Sequence, residues 1–155
     1  MRPMRFLALL LALSVSASAA DLRIVRVFSG WRDAGSFKRI SEYFTGRENT
    51  GGEVVLRTRP EQRGGYYFLV RTRNAGAAFE GSLDFQVVLP NSPQPRVFKF
   101  RATVPAGDAV FNLGITGTDW PGRDTDAVAW KLDLRNSAGE SLATEKSYLW
   151  EKPAQ

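Results

Sequence analysis

Residues 57–73, RTRPEQRGGYYFLVRTR, hold five arginines and three aromatic side chains in seventeen positions. Guanidinium groups grip carboxylates, phosphates and sulfates through paired N–H donors, and an adjacent aromatic ring adds a stacking surface. Arg57, Arg59, Arg71 and Arg73 together with Tyr67 are therefore candidates for holding an anionic ligand. The same spacing also fits a strand face that simply meets water. A second group lies in TGTDWPGRDTD (116–126), where Asp119, Asp124 and Asp126 share one loop. Three carboxylates with backbone carbonyls offer the oxygen donors that Ca²⁺ takes, although the spacing departs from the twelve-residue calcium loop and Arg123 interrupts it. Asp is also a common turn former. Trp120, followed by Pro in that loop, and Trp31 either fold under their loops or stand exposed to stack on a sugar ring or a protein partner.

The positions of the two groups depend on the strands around them. Leu83, Phe85, Val87 and Leu89 recur at period two with Asp84 and Gln86 between them. Phe98, Phe100, Ala102 and Val104 do the same against Lys99, Arg101 and Thr103, and Val128, Trp130, Leu132 and Leu134 against Lys131 and Asp133. Further runs at 22–28, 53–59, 66–73, 109–116 and 141–150 are separated by PNSPQP, PAGD, GTDWPGRD and NSAG. Short strands at such intervals, without a long helical period, predict an all-β fold: an antiparallel two-sheet β-sandwich of 7–8 strands. Residues 36–44, SFKRISEYF, place Phe37, Ile40 and Phe44 at helical spacing, but their composition favours a strand, which is the expectation adopted. Trp130 and Trp150 are expected on strands as structural residues.

Pairing 53–59 with 66–73 across PEQRGG as a hairpin assigns the faces. Val54, Leu56, Tyr66, Phe68, Val70, Thr58 and Thr72 then look inward. Glu53, Val55, Arg57, Arg59, Tyr67, Leu69, Arg71 and Arg73 look outward, with Glu53 near Arg73. A slip of one residue would bury unpaired arginine.

VPAGDAVFNLGIT (104–116) and WKLDLRNSAGESLATEKSYLW (130–150) resemble the corner and last hairpin of immunoglobulin-like and fibronectin-III-like sandwiches. Phe111 stands near the usual corner tyrosine, without its hydroxyl, and the Cys…Trp…Cys pattern of immunoglobulin domains is missing. The resemblance covers about the last 50 residues; it implies a scaffold and no activity.

Composition excludes more than it identifies. The 155 residues include neither cysteine nor histidine, so disulfides, Ser-His-Asp and Cys-His triads and His-containing zinc sites are unavailable. Paired carboxylates such as Glu42 with Glu48, or Asp119 with Asp126, leave only a small carboxylate-dependent hydrolase as the enzymatic alternative. MRPMR, FLALLLALSV and SASAA read as the basic, apolar and small-residue regions of a secretory signal, cut near Ala19–Asp21. Residues 1–20 are thus expected to be removed, and 21–155 to form a single domain, secreted or periplasmic, with no transmembrane segment. Loss of Arg2 and Arg5 leaves 19 basic against 16 acidic residues, a charge of +3. That mild charge and that compartment argue against nucleic acid. A polysaccharide or envelope protein is the expected partner. The reading is a non-catalytic binding module, with a structural envelope subunit using edge strand 22–28 as the alternative.

Overall fold

A computed structural model describes residues 22–151; the signal sequence and cleavage point expected from the sequence lie outside them. Among the described residues eight strands form two sheets of four. In the first sheet the order is β1 (Leu22–Arg32), β3 (Gly65–Asn74), β6 (Gly107–Thr116), β2 (Val54–Arg57). In the second it is β5 (Ser92–Val104), β4 (Phe79–Leu89), β7 (Ala129–Asn136), β8 (Ser141–Lys146). All pairs are antiparallel except β2 with β6. Among the described residues no helix is long and apolar enough to cross a membrane.

The period-two pattern places the core between the sheets. Leu83, Phe85 and Val87 of β4 and Leu132 and Leu134 of β7 are fully buried, facing Phe68 and Val70 of β3 and Phe111, Leu113 and Ile115 of β6. The sheets lock through aromatic rings. Phe68 meets Phe85 with centroids 4.3 Å apart, and Trp130 stands 6.1 Å and 6.0 Å from the two. Offset and edge contacts of this kind suit the ring quadrupoles.

Three expectations need correction. Segments 53–59 and 66–73 are not a hairpin. β1, with eleven residues, takes one side of β3 and β6 takes the other, so β2 is displaced beyond β6 and runs parallel to it. The face assignment nevertheless survives, because β6 transmits the parity. Phe111 opposes both Val54 and Val70, and Leu113 opposes both Leu56 and Phe68. Glu53 does not meet Arg73: it accepts a bond from Asn112, while Arg73 pairs with Asp108.

Residues 36–44 are not a strand. A 3₁₀ turn spans Ala34–Phe37, and a helix, α1, spans Ile40–Thr45. Glu42 accepts the Arg39 N–H at the helix start (3.3 Å), and Gly46, at φ 66°, closes the far end by donating to the Glu42 carbonyl. The left-handed glycine ends the helix after six residues. Trp150, finally, lies in a 3₁₀ turn, Tyr148–Glu151, and not on a strand.

Candidate functional site

The outer face of the first sheet divides into a covered half and an open half. Gly114 on β6 opens the covered half. Without a side chain there, the Tyr67 ring lies against the strand; a Cβ would come within 2.5 Å of Tyr67 Cε1. Residues 33–52 then fold over this ring as a cover. Phe37 packs on Tyr67 at 4.7 Å, and the guanidinium of Arg32 sits 4.0 Å from the Phe37 centroid. Arg57 binds Glu48 through both terminal nitrogens (2.9 and 2.6 Å) and donates its Nε–H to the Tyr67 hydroxyl (2.7 Å). That hydroxyl donates in turn to the Arg63 carbonyl (2.7 Å), and Arg63 bonds Glu42 at 2.6 Å.

The outward direction expected of Arg57 and Tyr67 is therefore present, but both are enclosed. The Arg57 side chain is 6 % exposed and Tyr67 2 %. Burial opposes the charge on Arg57, and its bonds to Glu48 and Tyr67 outweigh it, leaving the guanidinium more firmly protonated than usual. Burial likewise raises the Tyr67 phenol, partly offset by Arg57.

The bond from Arg57 lowers Glu48, and bonds from Arg63 and from the Asn49 N–H lower Glu42, both below the ordinary 4.5. Both carboxylates are held ionised. That is the reverse of the raised carboxyl a general acid requires, so this pair does not fit the hydrolase alternative. It also sets a pH dependence. Lowered folded values mean that stabilisation by these pairs is complete above pH 4.5 and is lost as pH falls through the folded values, where the unfolded chain binds protons more readily. Near-UV circular dichroism of Tyr67 and Phe37 is expected to change below pH 4.5 before the β-sheet signal does; simultaneous loss of both would contradict a separately loosening cover.

The open half carries Arg71 and Arg73 of β3. Register places Arg73 opposite Arg23 and Arg71 opposite Arg26 on β1. A bulge between Ile24 and Arg26 makes Val25 the extra residue and turns both β1 arginines outward. Arg73 holds Asp108 through two bonds (2.6 and 3.0 Å), which lower the Asp108 carboxyl. Among the described residues Arg23, Arg26 and Arg71 form no ion pair. Arg26 lies 4.9 Å from the exposed Phe28 ring. A shallow pocket of about 210 Å³ runs between Val25, Arg71, Arg73, Asp108 and Val110. Sequence reading missed Arg23 and Arg26, because strict alternation puts residues three apart on opposite faces. The signal was the broken alternation of LRIVRVF itself.

The opposite sheet offers a contrast. On its outer face Asp84 opposes Asp133, and Lys99, Lys131 and Arg135 all pair with these two carboxylates, to which Thr144 adds a bond at 2.6 Å. Each of those three cations has a carboxylate partner, whereas Arg23, Arg26 and Arg71 have none among the described residues.

The remaining candidates are dispersed. Arg59 reaches Asp119 at 3.1 Å. Asp119 stays ionised because bonds from Thr58 and Arg59 outweigh the opposing effect of burial. Trp120 is 3 % exposed, stacked on Tyr66 at 4.2 Å with its Nε1–H donating to the Thr125 carbonyl, so no face is free for a sugar. Trp31 packs partly against the core and donates to Asp33. Asp119, Asp124 and Asp126 do not converge as a calcium site: among the described residues no group of three carboxylates is placed to hold a metal ion. Asp119 is turned onto Arg59, whereas Asp124 and Asp126 face solvent. No protein-family model, curated protein or solved structure matches the chain.

Proposed function

We propose that the protein is an exported, non-catalytic binding module on an immunoglobulin-like scaffold. It holds an anionic polysaccharide, or an acidic envelope protein, on Arg23, Arg26, Arg71 and Arg73. The carrying observation is the pair of arginine–arginine oppositions between β1 and β3, with Asp108 the only carboxylate among the described residues bonded within the group. Like charges directly opposed across a sheet are destabilising, and a ligand with spaced carboxylates or sulfates removes that cost on binding. Export rests on the signal-like first twenty residues.

The test is retention on sulfated, uronate-bearing and neutral polysaccharide columns through a salt series. Retention on the anionic supports is expected to fade with salt and to fall roughly tenfold or more in affinity for Arg26→Ser with Arg71→Ser. Arg101→Ser, on the other sheet, serves as the control with no change. Equal retention of the double variant would remove the arginine assignment. Salt-indifferent association would instead favour strand addition at β1, which forms one edge of its sheet.

A further inference from the structure

The cover segment is built inside out. A short helix on a folded domain ordinarily turns its apolar stripe to the core. In α1 the stripe Ile40, Tyr43 and Phe44, spaced i, i+3, i+4, points to solvent, with exposures of 79 %, 75 % and 86 %. The polar face is the one that docks. The Glu42 carboxylate bonds Arg63 and the Asn49 N–H, and Ser41 Oγ accepts from Asn49. Phe37, one turn earlier, supplies the inward contact with Tyr67. The three exposed side chains therefore do nothing for the fold that an alanine or serine would not do.

Among the described residues, the charges on this segment that lack an ion-pair partner have one sign. Lys38, Arg39 and Arg47 stand on the same segment, and none of them is paired with a carboxylate of the described residues. The Lys38 ammonium lies 5.6 Å from the Tyr43 ring, and Arg39 donates to the Thr50 carbonyl. Of the segment's acids, Glu42 and Glu48 are turned inward and consumed by Arg63 and Arg57, and Asp33, at its start, pairs with Arg123. A projecting knob of Ile, Tyr and Phe, with Lys38 beside Tyr43 and further unpaired cations on the same segment, suits the headgroup layer of an anionic bilayer. Apolar tips enter the acyl boundary, the tyrosine hydroxyl stays at the interface, and lysine and arginine meet lipid phosphates. A protein partner would need a concave receptor, and a second copy would bring like charges together around the same ridge.

We infer that α1 is a membrane-docking element, which seats the domain on an anionic lipid surface through Ile40, Tyr43 and Phe44 with Lys38 and Arg47 beside them. This is independent of ligand binding at the open arginine end. The two sites share a face, and by the strand rise of about 3.3 Å per residue Tyr67 and Arg73 are separated by about 20 Å along β3.

Flotation of the 21–155 chain, which contains every described element, with vesicles of phosphatidylglycerol and phosphatidylethanolamine tests this against vesicles of phosphatidylcholine. Binding to the anionic vesicles is expected, with a tenfold or greater loss for Ile40→Ser with Phe44→Ser. Lys38→Ser with Arg47→Ser is expected to reduce the preference for anionic lipid. Because these side chains are exposed, the variants are expected to keep the wild-type melting curve. Absence of flotation, or equal flotation of Ile40→Ser with Phe44→Ser, overturns the inference. So does a dimer in solution that those substitutions dissolve, since a second copy would then cover the ridge. Flotation lost only in Arg26→Ser with Arg71→Ser would assign the bilayer to the arginine end and also overturn it. Binding of polysaccharide by the Ile40→Ser, Phe44→Ser variant keeps the two proposals separable.

Discussion

Arg57→Ala is expected to destabilise the protein by about 2–3 kcal/mol and to release residues 33–52 from the sheet. The side chain is 6 % exposed and makes three bonds, two to Glu48 and one to Tyr67. Its removal takes the guanidinium bonded to the Tyr67 hydroxyl and leaves Glu48, among the described residues, with Arg63 alone, at 3.7 Å. Truncating one member of a wholly buried pair costs about 3–5 kcal/mol; Glu48 keeps a route to water, which lowers the expected figure. Arg57→Lys should recover little, because a single ammonium cannot span both carboxylate oxygens and the phenol. Urea unfolding gives the magnitude. Cleavage within residues 46–52 by a protease under native conditions reports the release. An unfolding midpoint within error of wild type would mean that the enclosed guanidinium is an ornament of the surface, contrary to its geometry.

Phe68→Ala is expected to cost more, about 3–5 kcal/mol. Phe68 is fully buried where the sheets meet and touches Phe85, Tyr66 and Trp130. Its loss removes ring contacts from both sheets and leaves a cavity that neither sheet can close, since each is fixed by its own ladder. With no cysteine in the chain, no disulfide shares the load. Net stabilities are only about 5–15 kcal/mol, so the variant should melt about 10 °C or more below wild type. Phe68→Leu, which retains most of the volume, should recover the larger part. A fall of under 2 °C for the alanine variant would show that the rings are not what joins the sheets.

The two-sheet architecture was legible because β4, β5 and β7 alternate cleanly and pair with antiparallel neighbours, so period two translates directly into one buried face. The partner of β2 was not legible. A short turn-rich connector such as PEQRGG favours a local hairpin, whereas the strand's true partner comes from β6, beyond three intervening strands. For the arginines, parity predicted direction and nothing more. Whether Arg57 meets solvent depends on Phe37, Glu42 and Glu48 of a separate segment, whose conspicuous apolar residues, Ile40 and Phe44, point the other way. Arg23 and Arg26 were hidden by a bulge, whose one trace in the sequence is the broken alternation of LRIVRVF. The aspartates of 116–126 were close in sequence but are drawn apart by competing partners, Arg59 for Asp119 and water for the other two.

The parallel pairing of β2 also orders events in time. Val54 pairs with Phe111, 57 positions later, so this strand has nothing to join until β3 and β6 have assembled. Closing so long a loop is entropically expensive, and only four residues of ladder repay it. The edge strand and the segment folded back before it should thus be the last part to arrive and the first to leave. Their amides would exchange with solvent through a local opening, while those of β3, β4 and β7 wait for the whole domain to unfold.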